Sequence, residues 1–175
     1  MTTQDTLGTL AGLDREASER LRGHRPAVTE AAEASLHALF DVPEDDEAPG
    51  LDRRLRLVAA ARAAHVDGSD AVAAFYAEQL LEEADDVDAP GLAELVTGGA
   101  DGEAGRAAGR AERALLRHVD LLVQRPAAAT SDDLDALAAA GWGVVEIVVL
   151  SQIVSFVTYQ TRVVAGLAVL QEASA

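Results

Sequence analysis

The chain has no cysteine and no lysine, and aromatic residues make up only 3% of its 175 positions. Without cysteine there are no disulfides, no thiolate metal ligands, no thiol redox cycle and no sulfur nucleophile. Without lysine, all 14 basic residues are arginine; they face 30 acidic ones, for a net charge of −16. No run of basic residues supplies a phosphate-binding patch, so nucleic acids and anionic membranes are poor partners. The start, MTTQDTLGTLAGLDRE, lacks both a basic leader and a continuous apolar stretch. No secretory signal is therefore expected, and the cytoplasm is the expected location. Long apolar runs are scarce too. The most apolar segment, Val144 to Leu170, is interrupted by Glu146, Gln152, Gln160 and Arg162. It reads as a buried helix of a soluble protein rather than a membrane span.

What is present is alanine, leucine and valine. Hydrophobic residues reach 49%, and Ala and Leu have the best helix propensities, so closely packed helices are expected. The length suits a single domain over 1–175. No strand pattern stands out. A first helical region spans Asp5 to Gly23, with a break near Gly12. Pro26 is placed for the first turn of a second helix, which runs through VTEAAEASLHALF to Phe40. PEDDEAPG (43–50) is an exposed loop. A helical hairpin follows: one helix to Val66, a turn at Asp67-Gly68, then Ser69 or Asp70 capping a second helix to Glu83. After the acidic patch Glu82 to Asp88 comes a short helix from Pro90 to Val96. TGGADGEAG (97–105) reads as a flexible loop; it lacks the ending of a phosphate loop and follows no strand. A helix is expected over Arg106 to Val123, and Thr130 or Ser131 then caps DDLDALAAAG with acids in its first turn. Gly141 or Gly143 precedes a last helix from Val144 to Gln171.

The stretch LDRRLRLVAAARAAHVDGSDAVAAFYAEQL, Leu51 to Leu80, resembles the central hairpin of the carboxymuconolactone decarboxylase and alkylhydroperoxidase-D superfamily. The second half, with Pro126, Gly141, Glu146, Tyr159 and Arg162 in order, is similar to the family's closing pattern. The resemblance covers residues 26–170 and leaves 1–25 as a helical extension. It implies an all-α, orthogonally packed multi-helix bundle that assembles into homo-oligomers. In thiol-active members the hairpin carries Cys-x-x-Cys, a Glu twelve residues before the first Cys and a His four after the second. Those positions fall on Ser69, Val72, Leu57 and Tyr76. All four are replaced, so the site is degenerate.

Peroxide reduction needs a thiolate and a resolving thiol, and neither Ser69 nor Val72 supplies one. Ser69 reads as a helix cap, and Leu57 makes the old pocket apolar. Tyr76 is either a packed aromatic or a hydrogen-bond donor to a ligand. His65 ends the first hairpin helix, where a partly positive imidazole suits the helix dipole. His-Val-Asp occurs at 65–67 and again at 118–120, which reads as coincidence. No histidine, carboxylate or cysteine spacing forms a metal site or cofactor motif. On the last helix Gln152, Ser155, Tyr159 and Arg162 are spaced 3, 4 and 3, which puts them within about 80° of one another. Arg162 is the only basic residue after Arg125. This polar stripe needs partners, in a core or subunit interface or beside a ligand pocket.

Three functions follow as expectations. One is a thiol-independent enzyme on a small organic molecule, with His65, Tyr76, Tyr159 and Arg162 as catalytic candidates and Gln152 and Ser155 binding the ligand. Another is a non-catalytic member that binds a ligand or assembles with a partner. The third is a thiol-type peroxidase, and the missing cysteines stand against it.

Overall fold

The computed structural model describes residues 5–42, 48, 50–83 and 88–173. Its helices are α1 (Thr6–Leu10), α2 (Arg15–Arg22), α3 (Pro26–Phe40), α4 (Arg53–Val66), α5 (Asp70–Glu83) and α6 (Ala89–Gly98). They continue with α7 (Glu103–Ala107), α8 (Arg110–Gln124), α9 (Ser131–Ala140) and α10 (Val144–Glu172). Short 3-10 turns occupy Gly99–Asp101 and Pro126–Ala128. There is no strand among the described residues, so the protein is all-α. The acidic loop 43–47 and most of the patch Glu82 to Asp88 lie outside the described residues.

Helix α4 is the axis of the bundle. Every residue from Leu55 to Ala64 is buried, and the helix packs against α5, α10, α8, α6 and α3. Five of those ten residues are alanine, Ala59, Ala60, Ala61, Ala63 and Ala64, none with any exposed surface. Small side chains let helices approach closely on all sides, which a larger core residue would prevent. The 29-residue α10 supplies the second wall. Its inner face buries Leu150, Ile153, Val154, Val157, Val164 and Leu167, each worth roughly 2 kcal/mol of transfer from water. By length and composition alone α10 could cross a membrane, but that inner face is committed to the bundle. The N-terminal segment is fastened to it as well. Glu33 of α3 is buried and accepts from the backbone N–H and the hydroxyl of Thr6, at 2.7 and 3.0 Å.

Two expectations about local structure need correcting. Residues Thr97 to Gly105 are not a loose loop: α6 runs on to Gly98, a 3-10 turn follows, and α7 starts at Glu103. The glycines there permit contact rather than motion. Gly99 has φ +60°, and a Cβ on it would lie 2.6 Å from the Arg62 guanidinium. A Cβ on Gly105 would lie 1.9 Å from the Gly99 carbonyl oxygen. In addition, the helix expected from Arg106 is two helices, broken at Ala108 and Gly109 in extended conformation. Elsewhere the signals match: the break at Gly12, Pro26 at the start of α3, and Thr130 with Asp133 as a capping box for α9. Gly141, in the left-handed region at φ +108°, closes α9.

Candidate functional site

Three places in the bundle hold the residues from which a function could be built. The first is the hairpin of α4 and α5. Leu57, Val72 and Tyr76 belong to one core cluster, and none has exposed surface. Tyr76 lies between two other aromatics, with ring centroids 4.9 Å from Phe40 and 5.0 Å from Phe75. Its hydroxyl donates to Gln160 Oε1 of α10 at 2.6 Å. Burial pushes the phenol far above its ordinary pKa, with the bond to Gln160 opposing only in part. It stays neutral across the biological pH range and keeps its proton on Gln160. Ser69 is half-buried just before α5, and its carbonyl accepts from Ala73 N–H at 2.9 Å, the first bond of that helix. His65 is exposed in the last turn of α4. Where a thiol, a glutamate and a histidine would sit in the resembled family, side chains pack on one another.

The second place is the outer face of α10. Gln152, Ser155, Tyr159 and Arg162 are all exposed, so the stripe does not enter the core. Arg162 donates only to the Thr158 carbonyl of its own helix, at 2.9 Å; it makes no contact with Glu146 or Tyr76. The stripe is longer than the four polar residues. Val145, Val148, Gln152, Ser155, Tyr159, Arg162, Gly166 and Val169 alternate spacings of 3 and 4, and every one is exposed. The apolar members are unusually open, with Val148 50% and Val169 64% exposed. Arg162 also borders a groove of about 440 Å³ where α10 meets the α4–α5 turn and the end of α1. Ser69, Asp67 and Thr161 line it too, and the Thr161 hydroxyl donates to Asp67 Oδ2. Of the candidate residues, then, Ser69 and Arg162 meet in one groove; Tyr76 is sealed beneath, and His65, Gln152, Ser155 and Tyr159 lie elsewhere.

The third place is a groove of about 720 Å³ between α8 and α9. Here the sequence reading gave no role to residues the fold assembles. The two His-Val-Asp triplets have opposite fates. In the second, Asp120 binds the buried Arg62 guanidinium through both oxygens, at 2.7 and 2.9 Å. The same guanidinium caps the end of α6, donating to the carbonyls of Val96 and Thr97 at 3.0 and 2.7 Å. His118 forms part of the groove wall; it is 5% exposed, and its Nε2 is buried with no hydrogen-bond partner. Burial lowers its pKa, and the nearby Asp133 carboxylate opposes that shift. The only advance signal was the spacing of Arg110, Arg113 and Arg117 on one face of α8, which does not reveal what that face meets. Among the described residues no group of histidines and carboxylates could hold a metal ion.

Comparison with protein-family models, with curated proteins and with solved structures yields no match for this chain.

Proposed function

We propose that this chain is a cysteine-free protein akin to the carboxymuconolactone decarboxylase and alkylhydroperoxidase-D superfamily, with its orthogonal bundle, in which the thiol site has become core. It acts as a non-catalytic, soluble, cytoplasmic protein that works by self-assembly, and the outer face of α10 is the assembly surface. The observation that carries this reading is the exposed seam from Val145 to Val169. A 3-4 alternation is the spacing with which one helix packs along another, and eight exposed positions hold it without a break. From Val145 to Val169, 24 helical steps, the seam is roughly 36 Å long.

Its chemistry is self-complementary. In an antiparallel pair centred on Val157, Val145 faces Val169 of the second copy and Val148 faces Gly166. Gln152 then faces Arg162, whose guanidinium can donate to its amide oxygen, and Ser155 faces Tyr159, hydroxyl to hydroxyl. Each polar group gains a partner, and three valines leave water at either end, Val145 and Val148 of one copy with Val169 of the other. An enzyme centred on Tyr76 has less support, because its phenol is buried, neutral and bonded to Gln160.

Sedimentation equilibrium tests the seam through exposed residues. Gln152→Arg puts a second guanidinium opposite Arg162 and should weaken the dimer about ten-fold or more. Gln152→Glu puts a carboxylate opposite Arg162 and should tighten it several-fold. The double variant Gln152→Arg with Arg162→Glu restores pairing. A protein that stays monomeric at high concentration, or a dimer indifferent to all three, rules the seam out.

A further inference from the structure

The groove between α8 and α9 gathers positive charge in an otherwise acidic protein. Four of its 14 arginines, Arg110, Arg113, Arg117 and Arg125, line it. The acidic side chains that share the groove are already engaged. Asp120 is held by Arg62. Asp133 accepts from the backbone N–H and hydroxyl of Thr130 in the α9 cap, at 2.8 and 2.9 Å. Asp101 is 3.6 Å from Arg117, an exposed contact of little strength. Arg110, Arg113 and Arg125 have no side-chain partner among the described residues. In a chain of net charge −16, carboxylates are plentiful, yet these three guanidinium groups line one groove without a side-chain partner there. Like charges brought together repel until an anion joins them.

Two further features say what kind of anion. The floor of the groove is apolar, built from Leu121 and Leu137 with alanines of both helices. Its volume, about 720 Å³, falls in the range of small-molecule sites. His118 stands in the wall, more than nine-tenths buried, with an Nε2 that no atom of the described residues satisfies. A buried nitrogen without a partner is rare in folded proteins and calls for a missing one. A ligand oxygen reaching the groove floor, with a small turn of the imidazole, supplies it.

We propose that the α8–α9 groove binds a small organic carboxylate with an apolar body. Arg113 and Arg117 hold the carboxylate, the leucine and alanine floor takes the hydrocarbon, and His118 meets a ligand oxygen. Charge-assisted bonds from a planar guanidinium fork give the anion its orientation. Inorganic phosphate satisfies the arginines but not the floor; a neutral alcohol of the same length does the reverse. This site is separate from the α10 seam, and a dimer that fails to form leaves it untouched.

Equilibrium dialysis with hexanoate, 1-hexanol and inorganic phosphate tests it, together with the proton resonances of the four histidines. Hexanoate should bind saturably and shift the His118 signals while those of His24, His37 and His65 stay in place. Arg113→Gln and Arg117→Gln should each weaken hexanoate about ten-fold. Hexanol and phosphate should bind at least about ten-fold more weakly than hexanoate. The same result in the Gln152→Arg variant separates the groove from the seam. Absence of saturable hexanoate binding overturns the proposal. So does binding that ignores both arginine variants, and so does phosphate binding as tightly as hexanoate, which leaves the apolar floor without a role.

Discussion

At the residue scale, the most telling side chains are those whose polar atoms are enclosed. Tyr76 and Gln160 satisfy one another across the core at 2.6 Å. Tyr76→Phe keeps the ring contacts with Phe40 and Phe75 but leaves the Gln160 amide oxygen without that donor. We expect a loss of about 1–2 kcal/mol in urea unfolding, with the oligomeric state unchanged. His118 makes the opposite case, as burial holds its folded pKa below the ordinary value near 6.5. Between those two values the unfolded chain binds the proton and the folded one does not. Stability is therefore full above about pH 6.5 and declines as pH falls toward the lowered folded pKa. The carboxylate of Asp133 softens the decline. His118→Leu should flatten this part of the profile, measured as urea midpoints from pH 7 to pH 5. Tyr76 was legible in the sequence as an aromatic in an apolar place, but its partner was not, because Gln160 is 84 positions away. His118 gave no local sign of its burial.

At the element scale, periodicity and punctuation found most of the helices. Pro26, the Thr130–Asp133 box and Gly141 act through bonds within a few residues, so their meaning survives without a partner. The segment 97–105 did not, because its glycines answer to distant atoms. Gly99 combines φ +60° with the Arg62 guanidinium where a Cβ would go. Gly99→Ala should therefore cost about 2–4 kcal/mol. Gly109, at φ −61° with open space about it, serves as the control; the weaker N-cap that alanine makes is offset by its stiffer unfolded chain, so Gly109→Ala should stay within about 0.5 kcal/mol. Thermal unfolding of the two variants separates a glycine that is needed from one that is incidental. The spacing along α10 was visible in its four polar members, yet their outward direction was not. A helix with valine on nearly every side offers no clear inner face until α4 and α8 choose one.

At the scale of the whole molecule, an all-α architecture followed from composition, because a chain rich in Ala and Leu and poor in aromatics has little else to fold into. Which helix would be central did not. Helix α4 carries Arg53, Arg54, Arg56 and Arg62, a poor advertisement for the core, and Arg56 and Arg62 are among its buried residues. Arg56 donates to the carbonyls of Leu51 and Leu39 at 2.8 and 3.0 Å. Arg62 reaches further, since one guanidinium joins α4 to the end of α6 and to Asp120 of α8. That junction has a kinetic meaning. The last turn of α6 keeps its carbonyls satisfied only while α4 and α8 are both docked, so these three helices should open together or not at all. In native-state hydrogen exchange their amides should share one opening free energy near the global value. The amides of α2, which has a single buried residue, should exchange through smaller and earlier openings.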